Sequence, residues 1–227
     1  MRSTLETPAP TSKMVWSVGS GLAGVIPPES FILAGMAPRQ EIEIKFCIAA
    51  AGALGRRLRA SGFRLLTKRT HEINTVYDFA GSPLRKRGEL LRLRKYGPEW
   101  LLTHKAKSTT GRHKSRVETE TRIADGAKMH GILLALGLAP TFRYEKFRAE
   151  WSDGQGHVVI DETPIGTFGE IEGRPRWIDQ TARALRIGRA DYITQSYAEL
   201  FFEWKTRNRS RAKEMTFRAV SPKRTTH

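Results

Sequence analysis

The sequence predicts an α+β fold: an eight-stranded antiparallel β-barrel tunnel with a charged lumen and helices packed outside. Three observations carry that prediction. Eight segments between residues 41 and 173 have strand character, with turn signals such as Gly81-Ser82-Pro83, Gly97-Pro98 and Asp153-Gly154 between several of them. On most of these strands charge recurs at every second position, so one face is given over to it. The opposite faces are apolar, and the helical segments need something to cover.

Residues 1–40 are rich in Pro, Gly, Ala and Ser and read as a loose leader. Within it Gly19-Ser20-Gly21-Leu22-Ala23-Gly24 matches a dinucleotide-binding spacing, but Pro27 and Pro28 forbid the helix that motif requires. Strands are predicted over 41–48, 73–79, 90–96, 100–107, 115–123, 141–151, 156–162 and 167–173. Helices are predicted over 49–60, 126–137, 178–187 and 194–204. Residues 41–204 therefore form the folded domain. Residues 205–227 hold eight lysines and arginines against the single acid Glu214 and read as a basic tail with no lumen position.

Alternation sorts the charges. In the first strand Glu41, Glu43 and Lys45 oppose Ile42, Ile44 and Phe46; Cys47 shares the parity of Lys45 and is placed near the same face. Arg92 and Arg94 oppose Leu91 and Leu93, while Lys105 and Lys107 align with Thr103. Arg116, Glu118 and Glu120 align, as do Lys146 and Arg148 with Tyr144, and Glu170 and Glu172 with Phe168. Asp161 aligns with Val159. An ordinary solvated face would use Thr, Ser, Gln and Asn freely. Closing the sheet instead puts charge of both signs in a wet interior wide enough for one small ligand. Unpaired charge there is costly, so acids want metal ions and bases want phosphate oxygens. Oxygen donors without a His or Cys cluster point to Mg²⁺ or Mn²⁺ rather than zinc.

Composition bounds the partners. The net charge of +16 calls for an anionic partner. The single Cys47 excludes a disulfide framework and fits a reducing, cytoplasmic setting. No apolar run approaches the roughly 18 residues that span a bilayer, so no membrane partner is expected. His71, His104, His113, His130, His157 and His227 have no metal-ligand spacing, and no P-loop, nucleophile elbow or zincin motif is present.

An ordered set of motifs resembles the CYTH domain family, the triphosphate tunnel metalloenzymes. Glu41-Ile42-Glu43-Ile44-Lys45 resembles the opening ExExK signature, and Thr75-Val76-Tyr77-Asp78 the Tyr-Asp segment. Gly88-Glu89-Leu90-Leu91-Arg92-Leu93-Arg94 and Trp100-Leu101-Leu102-Thr103-His104-Lys105 resemble the next two strands. Arg116-Val117-Glu118-Thr119-Glu120, Lys146-Phe147-Arg148, Ile160-Asp161 and Gly169-Glu170-Ile171-Glu172 follow in family order. The resemblance implies metal-dependent chemistry on triphosphates. It implies metal-site acids at Glu41, Glu43, Glu170 and Glu172, assisted by Asp161 and by Glu118 or Glu120. It implies phosphate binding by Lys45, Arg92, Arg94, Lys105, Lys146 and Arg148, with Arg116 and Lys107 as additions. Of these, Glu43, Lys45 and Arg94 are the expected catalytic residues.

Two reactions suit such a tunnel: hydrolysis of a triphosphate (inorganic, nucleoside or thiamine) and class IV cyclisation of ATP to cyclic AMP and diphosphate. Ser196-Tyr197-Ala198-Glu199-Leu200 resembles a segment of the cyclase branch. Hydrolysis asks less of the site and is the reading taken; cyclisation stands second. A non-catalytic polyphosphate- or RNA-binding protein is a third, opposed by the strand acids. Nucleic acid is expected only through the basic tail.

Overall fold

The computed structural model describes residues 39–109 and 111–220. The glycine-rich motif at 19–24 and the end of the basic tail lie outside the described residues. The chain from Ala37 onward forms one compact unit. Its strands are β1 (Arg39–Cys47), β2 (Arg64–Phe79), β3 (Leu90–Tyr96), β4 (Glu99–Lys105), β5 (Lys114–Ile123), β6 (Leu138–Ser152), β7 (His157–Thr163) and β8 (Gly166–Glu172). They close into one barrel in the order β1-β5-β4-β3-β2-β6-β7-β8, and every neighbouring pair is antiparallel. The expected eight-stranded antiparallel barrel is the observed one.

Three boundaries differ from expectation. β2 starts at Arg64, not at 73, because register shifts between Leu65 and Thr70 break the alternation that marks a strand. β4 stops at Lys105, so Lys107 leaves the strand and is exposed. β6 takes Leu138, which pairs with Phe79 rather than extending the helix before it. Gly137, at φ +85°, ends that helix in a conformation other residues resist.

Helices α1 (Ala51–Ala60), α2 (Pro83–Lys86), α3 (Gly126–Ala135), α4 (Pro175–Ala184), α5 (Tyr197–Arg207) and α6 (Phe217–Val220) lie outside the sheet. Local chemistry starts several of them. Pro83 and Pro175 stand in the first turns of α2 and α4. Asp125 accepts from the amides of Ala127 and Lys128 at the start of α3. Ile44, Phe46, Val158, Ile160 and Ile171 of the barrel wall pack with Leu54 and Leu58 of α1 and Trp177 and Ile178 of α4. Each fully buried aliphatic or aromatic side chain of this kind contributes roughly 1.5–3 kcal/mol. Gly169 makes the seam possible: a Cβ there would stand 2.2 Å from the Phe46 ring. A second outer cluster joins Tyr77, Leu84, Leu93, Leu133 and Leu138 under α2 and α3.

The third cluster is different in kind. Tyr197 and Phe201 of α5, with Met215, pack against Tyr144 and Phe168, which have lumen parity. A capping box between Ser196 and Glu199 fixes the first turn of α5. The chain on either side of α5 is spliced to the sheet where strands run out. Ile193 exchanges backbone hydrogen bonds with Lys45 beyond the end of β5, and Met215 bonds backbone to Arg143 and Glu145 of β6. Over its described part, the segment from residue 205 is thus attached to the barrel. α5 runs on to Arg207 and Met215 is fully buried. Truncation ahead of Met215 would unroof α5, contrary to the expectation that the basic segment has no structural role.

Candidate functional site

The charged faces point inward. Contacts between strands that are not neighbours establish it: Arg92 of β3 reaches the Tyr144 hydroxyl of β6 at 3.3 Å, Lys105 of β4 reaches Glu41 of β1 at 2.8 Å, and Arg148 of β6 reaches Glu170 of β8. The lumen is not uniform along its length. On β6 side-chain exposure falls from 29% at Glu150 to 17% at Arg148 and 2% at Lys146. β1, β5 and β8 grade the same way, from Glu41 to Lys45, Glu120 to Lys114 and Glu172 to Glu170. One end is buried under α5 and the other opens to solvent.

At the buried end, acids and bases interlock. Lys45 pairs with Glu170 at 2.7 Å. Asp161 accepts from Lys146 at 2.9 Å, Arg148 at 2.6 Å and the Tyr197 hydroxyl at 2.6 Å. Glu72 lies 3.5 Å from Lys146 and 3.7 Å from Arg94. Burial alone would raise the Glu72 and Glu170 carboxyls, but the surrounding lysines and arginines prevail and hold both well below the carboxylate range. Burial would lower the Lys45 ammonium, and Glu170 and Glu43 outweigh it, keeping Lys45 firmly charged. Burial, with Asp161 and Glu170 adding, holds the Tyr197 hydroxyl well above its ordinary value, so it donates to Asp161 as a neutral phenol. The Lys45 and Lys146 ammonium groups lie 4.6 and 4.7 Å from the centre of its ring.

Nearer the opening the pairing is looser. Lys105 bridges Glu41 and Glu118 at 2.8 and 2.7 Å. Glu120 accepts from Arg94 at 2.9 Å and from the Thr103 hydroxyl at 2.6 Å. Arg92 stands 3.8 Å from Glu118 and 3.7 Å from Glu120. Among the described residues Arg116 makes no ion pair, and its buried Nε has no hydrogen-bond partner.

The acids at the opening test the fit of a cation. Glu43 and Glu172 sit directly opposite in the β1–β8 register, an arrangement of like charges that destabilises a sheet. Burial pushes the Glu172 carboxyl up; Arg39 opposes this, and Glu41 and Glu43 add to it. Among the described residues no three acid, histidine or cysteine side chains converge closely enough to form a ready-made metal cage. Glu43 is loosely held by Lys114 at 3.4 Å and Glu172 by the exposed Arg39 at 2.7 Å. Three carboxylates that raise one another's proton affinity, with loose or exposed counter-ions, form a donor set that a hard divalent cation fits.

The barrel brings all the sequence-predicted site residues into one lumen and divides them by depth. Four further lumen residues escaped the sequence reading. Glu72 and Asn74 are fully buried, yet Glu72 fell just outside the predicted second strand. Lys114 precedes the predicted fifth strand by one residue; burial, with Lys45 and Arg116 adding, lowers its ammonium pKa. Tyr197 reads from sequence as an ordinary inward-packing helix residue. Cys47, by contrast, is exposed at the end of β1 and away from the charged set. The described histidines serve other contacts, such as His130 with the Tyr77 hydroxyl and His113 with Asp179.

A closed antiparallel barrel lined by charges of both signs, with its apolar residues turned outward to helices, defines a tunnel protein for a small polyanion. The CYTH domain signature matches residues 39–220, and the chain belongs to that family. The family is one of metal-dependent tunnel enzymes. A protein of Methanocaldococcus jannaschii that bears an adenylate cyclase name is 26% identical over 171 residues, covering 70% of this chain and 97% of its own. Among solved structures, one from Vibrio parahaemolyticus, also named for adenylate cyclase, aligns with TM-score 0.64 at 20% identity, covering 73% of this chain and 99% of the other. A Hippeastrum protein, described by its solvers as an adenylyl cyclase-type protein with a dominant triphosphatase activity, aligns with TM-score 0.54 at 22% identity, covering 72% and 95%. Among the described residues no helix is long and apolar enough to cross a membrane.

Proposed function

We propose that this chain is a metal-dependent triphosphatase. The observation that carries the reading is the sorting of charge by depth. Buried cations, held by Asp161, Glu170 and Glu72, stand ready for phosphoryl oxygens, and loosely countered carboxylates gather near the opening. Glu41, Glu43 and Glu172 would hold Mg²⁺ or Mn²⁺, with Glu118 and Glu120 close by. Such an ion, when bound, supplies charge neutralisation and orientation of the water that attacks phosphorus.

The chain's own residues do the rest. Lys45, Lys146 and Arg148 neutralise the oxygens of the phosphate that penetrates furthest, and Arg92, Arg94, Lys105 and Arg116 bind those behind it. Asp161 and Glu170 keep the cations aimed inward by charge-assisted hydrogen bonds, so little reorganisation is needed as charge develops. The triphosphatase activity described for the Hippeastrum protein supports hydrolysis.

The cyclase reading is supported by the names of the relatives. The segment Ser196–Leu200, which leans toward it, has a structural use here: Ser196 and Glu199 cap α5, and Tyr197 floors the lumen. The deciding experiment is a panel of tripolyphosphate, ATP and thiamine triphosphate with Mg²⁺ or Mn²⁺, reading orthophosphate, diphosphate and cyclic AMP separately. Orthophosphate release without cyclic AMP is expected. Cyclic AMP with stoichiometric diphosphate would replace this reading with the cyclase one.

A further inference from the structure

The lumen is blind, and its floor has a particular make-up. Exposure falls along β1, β5, β6 and β8 toward the same end. That end is filled by rings packed on one another: Tyr197 lies 5.8 Å from Phe168 and 6.1 Å from Tyr144, centre to centre. Behind them Phe201 and Met215 are fully buried. The backbone splices at Ile193 and Met215 hold this assembly onto β1 and β6. The Tyr197 ring has two ammonium groups over it, so its surroundings suit anionic oxygens rather than a flat, uncharged base.

We propose that the lumen recognises the free end of a phosphate chain. A terminal phosphate lodges against the Tyr197 floor between Lys45 and Lys146, and whatever is esterified to the other end of the chain remains toward the opening. Tyr197 is the stop, and as a positioning residue it holds Asp161 and, through it, Lys146 and Arg148. This inference rests on the reading that the lumen binds triphosphates, and it deepens that reading. Two properties make the end of the chain the fitted part. A terminal phosphate carries one more unesterified oxygen than an internal one, and with it more charge for the two ammonium groups. A chain blocked at both ends presents only bulky groups, which a floor closed by packed rings cannot admit. In hydrolysis the water oxygen bonds to the terminal phosphorus as the bridging P–O bond breaks. The leaving diphosphate, or nucleoside diphosphate, keeps the bridging oxygen and its electron pair, and the water proton passes to the medium.

Three probes with the same phosphate count and different free ends test this: tripolyphosphate with two, ATP with one and diadenosine triphosphate with none. Binding is followed by ligand-dependent thermal stabilisation of the full chain, and cleavage by product analysis, with Mg²⁺ present. Tripolyphosphate and ATP are expected to bind. Diadenosine triphosphate is expected to bind about 100-fold more weakly, the worth of two charge-assisted hydrogen bonds, and to stay intact. Binding of diadenosine triphosphate within a few-fold of ATP would overturn end recognition, while orthophosphate release from tripolyphosphate would leave the triphosphatase reading standing. Failure of all three to bind would overturn both. Tyr197→Ala, which opens the floor, is expected to narrow the gap between ATP and diadenosine triphosphate. Tyr197→Phe keeps the ring and should retain it, with slower turnover from the loss of the Asp161 contact. An undiminished gap in a folded Tyr197→Ala protein would overturn the role of Tyr197 as the stop.

Discussion

The two ends of the lumen are built from the same residue types and behave in opposite ways. Under α5 each acid is surrounded by cations: Asp161 has two and a phenol, and Glu170 lies between Lys45 and Arg148. At the opening the acids meet one another: Glu43 faces Glu172 across the sheet, and Glu41 is close enough to disturb Glu172. Buried charge is tolerated only when fully paired, so acids at the closed end serve to keep cations in place. Solvent at the opening relaxes that demand, and unbalanced negative charge can persist there. An acid's neighbours, more than its parity on a strand, decide whether it is free for a metal.

The most severe way to break this comparison is to remove one acid from each end. Asp161→Ala leaves Lys146, Arg148 and the Tyr197 hydroxyl buried without their partner. A loss of about 3–5 kcal/mol is expected, the cost of breaking a buried pair. Glu172→Gln at the opening removes a like-charge neighbour of Glu43 and should leave stability unchanged or slightly raised, by about 0.5 kcal/mol. Urea unfolding of both variants checks the contrast. Equal stability of the two proteins would mean that the closed end is as well hydrated as the opening.

Rates sharpen the same division. Arg94→Ala should lower turnover of tripolyphosphate by of order 10²–10³-fold, as when one donor to a developing oxyanion is lost, and added metal should not restore it. Glu43→Ala should also slow turnover, but with partial recovery at high Mg²⁺ or Mn²⁺. EDTA should abolish activity in the unaltered protein, and either metal should restore it. Steady-state kinetics against metal concentration distinguish the two variants. Wild-type turnover in both, with unchanged metal dependence, would remove the lumen from the reaction altogether.

Much of this was legible in the sequence because a barrel obeys a period of two. Ile42, Ile44 and Phe46 against Glu41, Glu43 and Lys45 state the inner and outer faces without any coordinates. What stayed hidden arises where that period fails or where the chain returns from far away. The register shifts in β2 concealed its first half, and Glu72 with it. The start of β5 gave no turn signal that would have taken in Lys114. The closure of one end depends on Tyr197 and Met215 meeting Tyr144 and Phe168, contacts that no local pattern encodes. The Tyr-Asp segment was found by resemblance, but both of its side chains lie away from the charged set: Tyr77 packs under α3 and Asp78 caps a turn.

Asp78 supplies the smallest test and a third kind of acid for the comparison. No cation pairs with it among the described residues. Its Oδ1 accepts from the amides of Phe79 and Leu84 at 2.8 and 3.0 Å, and its Oδ2 from that of Arg85 at 2.9 Å. Burial pulls its carboxyl upward; the amides of Arg85, Leu84 and Phe79, joined by the Arg85 charge, outweigh it, so it stays below the ordinary aspartate value. A carboxyl depressed in the folded state contributes stability above its unfolded pKa, and that contribution is lost as pH falls through the folded one. Asp78→Ala should therefore cost about 1 kcal/mol near neutral pH, the usual worth of a cap. The gap from the unaltered protein should narrow only once the pH drops below about 4, where aspartate begins to protonate. Turnover should be unchanged at neutral pH, because Asp78 has no contact with the lumen set. Denaturant midpoints across pH, with a tripolyphosphate assay on the same samples, measure both. A large loss of turnover at intact stability would place Asp78 with the acids of the opening and erase the distinction between acids that hold backbone and acids that hold charge.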